Sequence, residues 1–243
     1  MIPQTDIDRY NEKRKNTKTV FYQWFVTGSF FTSSILYCNM IFYLYNNIFS
    51  FIPILLGWYM SDLCFGLTHI YLDNVKINKI TNLFDETVYS FQYSHHINPK
   101  AFINNVIIFA CSGEFITIVA SWLTMLSFYL ILPNNYYYEC KLMLTTMCFG
   151  LSIGQVVHGL THMNYNELNI VVKCLQKCKI ILNNEEHNKH HIEGILQYTL
   201  LNGWANPFVN FLFIHYFQPF MVKHPTHFIP QKLIMEPNKP KNI

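Results

Sequence analysis

The chain has 243 residues, of which 51% are apolar, 17% aromatic and only 13% charged, against about 25% charged in an ordinary soluble domain; a conventional soluble globule is excluded. Its formal net charge is +3, and the basic residues form no continuous stripe, so the phosphate neutralisation that nucleic-acid binding requires is missing and no nucleic-acid partner is expected. Seven cysteines, with Cys38, Cys64, Cys111 and Cys148 inside apolar runs, give no disulfide framework, and Cys174 and Cys178 have no second thiol pair with which to hold zinc.

Residues 1–18 are polar, carry Arg9, Lys13, Arg14, Lys15 and Lys18, and read as an N-terminal tail. From Thr19 to Ser61 there is no charged residue. At 1.5 Å per residue and a hydrocarbon core of about 30 Å, roughly 20 residues cross once. The block therefore predicts two helices, divided at Asn46-Asn47, the first of them an uncleaved anchor. A polar stretch from Asp73 to Lys100 follows. A third apolar run, Ala101 to Leu132, is interrupted by Glu114 and closes at the turn Pro133-Asn134-Asn135. A fourth, Leu142 to about Met163, carries Gln155, His158 and His162 near its end. After a mixed region to Glu193, the uncharged stretch Gly194 to Val222 contains Asn202, Asn206, Asn210 and His215. It is too polar for a span and predicts an interfacial or re-entrant segment. The expected fold is all-α: a polytopic membrane protein of about four transmembrane helices, with a tail at 1–18, a membrane domain at 19–222 and a second tail at 223–243.

Basic residues set the orientation. Five precede the first helix, none lies at 46–47, and only Lys141 lies in the loop 133–141, so the N-terminus is expected in the cytosol. An even number of crossings then returns the region 73–100, and everything after about residue 163, to the same side.

That topology gathers most of the eleven histidines on one face. His69 ends the second helix, with Asp73 one turn later. His95 and His96 are adjacent in the following loop. His158 and His162 stand at i, i+4, so their rings point the same way. His187, His190 and His191 form an H-x-x-H-H cluster that shares a face if helical. His215, His224 and His227 read as ordinary histidines. Ionisable groups at a membrane are costly and mark function by default. Imidazole suits zinc, copper, iron and nickel alike, but eight imidazoles and a carboxylate are enough for two ions with open positions.

The runs SDLCFGLTHIYLD (61–73), YSHHINP (93–99), QVVHGLTH (155–162), HNKHH (187–191) and NGWAN (202–206) resemble the Kua and CarF family of membrane lipid desaturases. The resemblance implies that His69, His95, His96, His158, His162, His187, His190 and His191 are ligands of a di-iron centre, with Asp73 a catalytic partner beside them. It further implies two Fe ions as cofactors, O2 as co-substrate, a membrane phospholipid substrate and an electron donor such as cytochrome b5. The expected reaction converts a 1-O-alkyl ether phospholipid into its 1-O-alk-1-enyl (plasmalogen) form. The rival reactions are desaturation of an acyl chain near its carboxyl end and, outside catalysis, a zinc-binding membrane scaffold. Two departures from the family stand out: Ile70 where tryptophan is common, and INNVIIFACSGE after the His-His motif, where Glu114 is the acid nearest the expected place. The C-terminal KPKNI resembles an endoplasmic-reticulum retrieval signal, readable only on a cytosolic tail, so residence in the endoplasmic reticulum with both termini cytosolic is the expectation.

Overall fold

The computed structural model describes residues 2–16, 20–45, 48–96, 114–131, 138–193 and 196–218. The turns expected at 46–47 and 133–135, the start of the third apolar run, the side chain of Glu114 and the KPKNI terminus lie outside them. Every element among the described residues is helical, as expected.

The polar tail is folded: α1 spans Gln4–Asn16. Its charges find backbone partners in the connector after the second apolar helix. Arg9 donates to the Ile80 carbonyl at 2.6 Å, and Asp6 accepts from the Ile80 N–H at 3.1 Å. Tyr10 is buried with its ring edge-on to Tyr89.

Four longer helices follow: α2 (Val20–Leu44), α3 (Phe51–Asn74), and, after the short α4 (Leu83–Tyr89), α5 (Glu114–Ile131) and α6 (Tyr138–Thr161). Among the described residues two helical segments, Ile48–Asn74 and Tyr138–Thr161, are long and apolar enough to cross a membrane, compared with the four expected from composition. With the exposed Phe31, Phe42, Leu126 and Leu130 on α2 and α5, they suit a chain solvated by lipid.

α3 and α6 run parallel in constant register. Ser61 donates to the Met147 carbonyl at 2.8 Å. A β-carbon on Gly150 would collide with Ser61, and one on Gly154 with the ring of Phe65. Small residues thus let the backbones approach, the arrangement that drives helix association where lipid removes the hydrophobic incentive. The same register continues to His69 opposite His158, ring centroids 6.2 Å apart. α2 and α5 pack on α6 and meet each other through a polar seam: the buried Tyr37 bonds Ser121 at 3.0 Å and stacks on Trp122, whose indole N–H donates to Ser33.

The polar stretch after α3 is not simply a loop. Asn82 caps α4 by accepting from the Asp85 N–H at 3.0 Å, and the chain then widens into a π-helical turn over Ser90–His95. Gln92 ties that turn back to α3 by donating to the Leu72 and Val75 carbonyls. Beyond α6 come α7 (Ile170–Lys177) and α8 (Asn184–Glu193). Asn183 caps α8 by accepting from the Glu186 N–H at 2.8 Å, and Asn184 donates to the Thr161 carbonyl at the end of α6.

The uncharged stretch near the C-terminus forms a hairpin against α3. Irregular chain runs from 196 to 205, then α9 (Asn206–Leu212) and a π-helical turn (Phe213–Phe217) lead back. Val209 seats against Gly66, and Phe213 joins Ile70 and Tyr198 in one buried cluster. Phe208, Phe211 and Ile214 face outward.

Candidate metal centre

The structure brings all nine expected side chains together and sorts them into two adjoining groups. His95, His162, His187 and His191 form the first, and His69, Asp73, His96 and His190 the second; within each group the ligating atoms lie within 4.8 Å of one another. His158 adjoins the first group, its Nε2 3.1 Å from that of His95, 3.0 Å from that of His187 and 3.3 Å from that of His162. Eight of the nine are buried, and His96 is partly exposed.

The helical phase explains the sorting. On α8, His187 and His191 stand at i, i+4 and meet in the first group, Nε2 to Nε2 at 3.1 Å, whereas His190 turns to the second. The tandem His95-His96 divides in the same way. The two groups are close, with the rings of His96 and His191 4.9 Å apart and those of His190 and His191 5.6 Å apart.

Proton bookkeeping shows what these groups suit. A neutral imidazole has one N–H and one lone pair. The Nε2 of His187 meets those of His158, His162 and His191 at 3.0, 3.1 and 3.1 Å, and a single proton there can serve only one such contact. The remaining contacts are left without a hydrogen bond, and lone pairs turned onto a shared cation would relieve them. In the second group the tautomers are fixed from behind: Nδ1 of His69 donates to the Tyr198 carbonyl at 2.8 Å, and Nδ1 of His190 to the Leu196 carbonyl at 2.9 Å. In the neutral rings both Nε2 lone pairs then face one carboxylate oxygen, Asp73 Oδ2, at 3.2 Å each, and His96 Nε2 stands at the same distance. Acceptors converging on an acceptor need a cation between them. Imidazole backed by a carbonyl is the usual outer shell of a metal site, so the donor set fits metal ions, all nitrogen in the first group and mixed nitrogen and oxygen in the second.

Burial and mutual repulsion favour the neutral, ligating form of five of these imidazoles. Burial first and then the neighbouring histidines push His162 down to about 3 and His190 to about 4, with Asp73 partly opposing the shift at His190. The same causes hold His95, His187 and His191 well below the ordinary imidazole range.

A cavity of about 590 Å³ opens beside the second group, within the usual size range of ligand pockets. His69 forms part of its wall, with Phe65 of α3, Phe84 of α4, Ala120 of α5, and Leu151 and Gln155 of α6. Its surface is almost wholly apolar, which suits a hydrocarbon chain.

The sequence did not expose the carbonyl partners Tyr198 and Leu196, nor the role of Asp62. Asp62 lies in the first quoted motif, and its carboxylate holds the loop that presents Tyr198. The nearest sequence signal was a charged residue in an otherwise apolar helix.

Two imidazole-rich groups able to hold metal, at the end of a parallel pair of apolar helices and beside an apolar cavity, define the class of this helical protein. The chain belongs to the lipid desaturase domain family, whose model matches residues 58–231, a stretch that contains all nine side chains. It is 26% identical over 142 residues to a probable fatty acid desaturase of Acanthamoeba polyphaga mimivirus, an overlap of 58% of this chain and 66% of that relative. The chain thus matches slightly less than two thirds of that protein's length. No solved structure matches.

Proposed function

We propose that the protein is a di-iron, O2-dependent desaturase of the Kua and CarF kind, converting a 1-O-alkyl ether phospholipid to the 1-O-alk-1-enyl form. The observation that carries this reading is a pair of adjoining metal-sized ligand groups, the second of which meets an apolar cavity at His69.

His95, His158, His162, His187 and His191 would hold one iron, and His69, Asp73, His96 and His190 the other. When bound, the iron pair supplies the activation of dioxygen, a redox task closed to zinc. The chain does the rest. The cavity aligns the lipid chain along Phe65 and Leu151 and brings its carbons to the His69 edge. The apolar walls exclude water, and Asp73 offsets the positive charge gathered by the second group. Two C–H bonds on adjacent carbons break and one carbon–carbon double bond forms. Two further electrons from a donor of the cytochrome b5 type, with two protons, complete the reduction of O2 to two waters. Four crossings, cytosolic termini and residence in the endoplasmic reticulum belong to the same proposal.

A second reading, desaturation of an acyl chain near its carboxyl end, is favoured by the name of the mimivirus relative. Expression in cells that lack plasmalogen synthesis but retain alkyl ether lipids separates the two. Acid-labile vinyl ethers detected by mass spectrometry, and lost in His96→Ala and His190→Ala, support the first reading. A new acyl double bond without vinyl ether supports the second.

A further inference from the structure

Asp62 is fully buried within the apolar helix α3, and among the described residues no cation pairs with it. Its carboxylate serves backbone instead. Oδ1 accepts from the N–H groups of Leu201 and Asn202, and Oδ2 from that of Ala205, each at 3.0 Å. These amides belong to the irregular part of the C-terminal hairpin, where Gly203 takes φ 84°. Non-helical backbone in an apolar setting survives only if its polar groups are satisfied, and Asp62 satisfies three of them at once.

The loop held in this way leads directly to the metal centre. The Thr199 N–H donates to Asn206 Oδ1 at 3.1 Å, and the Leu182 N–H to the Leu201 carbonyl at 2.7 Å. The next residue back, Tyr198, gives its carbonyl to His69 Nδ1. We propose that Asp62 is a positioning residue of the second metal group: by anchoring the 201–205 loop it holds the Tyr198 carbonyl where it fixes the tautomer and ring orientation of His69. The proposal rests on reading the two groups as metal sites.

A carboxylate suits the task because it only accepts. In Asp62→Asn one oxygen can still serve Leu201 and Asn202, but an amide NH2 would face the Ala205 N–H, donor against donor. Losing an outer partner of a metal ligand typically weakens metal affinity by about 10–100-fold.

The test is a Co²⁺ titration of the full chain in detergent after metal stripping, followed by visible absorption. His95→Ala and His69→Ala assign the two binding steps. Asp62→Asn is expected to weaken the His69 step by about 10–100-fold while leaving the His95 step unchanged. If both steps weaken together, or neither moves, Asp62 has no selective role. Should that variant fail to fold, Asn206→Ala removes the acceptor of the Thr199 N–H and Asn206→Asp retains it. Selective weakening in the first, restored in the second, supports the proposal, and its absence overturns it. If the unaltered chain shows no two-step binding, the metal reading itself has failed.

Discussion

His190 and His191 are consecutive in α8 yet serve different groups: Nε2 of His190 lies 3.2 Å from Asp73 Oδ2, and that of His191 lies 3.1 Å from Nε2 of His187. Alanine at either position should therefore remove a different ion. Elemental analysis is expected to give about one metal per chain for each single variant, about two for the unaltered chain, and no desaturation product for either variant. Equal loss of both ions from each variant would argue for one shared site.

In the metal-free protein His162 and His190 carry a pH penalty whose sign follows from their depressed values. His162 and His190 take up a proton in the folded chain only near 3 and 4, whereas an unfolded histidine does so near about 6.5. Between those limits the unfolded state binds more protons, so stability falls as the solution is acidified below about 6.5, by about 1.4 kcal/mol per pH unit for each such histidine. Thermal unfolding of the stripped protein should therefore move to lower temperature from pH 7.5 to pH 5. Saturating metal should raise the midpoint at pH 7.5 and lose its effect as protons compete for the ligands.

Much of the centre was legible in the sequence because its ligands sit at helical spacings. His69 and Asp73, His158 and His162, and His187 and His191 are each one turn apart, and that spacing alone puts each pair on one face. The division into two groups was not legible, because it depends on how α8 and the turn bearing His95 and His96 are rotated against α6. Nor were the carbonyls of Tyr198 and Leu196, since a backbone acceptor has no residue signature. The helix α1 was hidden for a related reason: Asp6 and Arg9 find their partner in the backbone of Ile80, and a polar stretch shows no sign of that from composition.

Ala120 lines the cavity from α5, away from the metal ligands. Ala120→Phe should fill part of the space a hydrocarbon chain would occupy without touching a ligand. The expected result is retention of both metals with product confined to shorter chains or reduced at least tenfold, read by lipid mass spectrometry. An unchanged product profile would mean that the substrate chain lies elsewhere.

Gly154 is where α6 comes closest to Phe65 of α3. Gly154→Ala should cost about 1–3 kcal/mol through overpacking and lower the unfolding temperature in detergent by several degrees. Adding Phe65→Leu should recover part of that loss, as expected for residues in direct contact. Simple additivity in the double variant would place the strain elsewhere.

The ligands run from His69 to His191, so the centre draws on α3, the turn after α4, α6 and α8. An ion bound there would also be a cross-link, joining stretches of chain otherwise held by packing and a few hydrogen bonds, and it cannot form until the ribosome has passed α8. Loading with metal would then be a late checkpoint in the protein's biogenesis. A chain made under metal scarcity lacks that cross-link where its helices converge, and its lifetime in the cell should shorten accordingly, linking the abundance of the protein to the metal supply as well as to its gene.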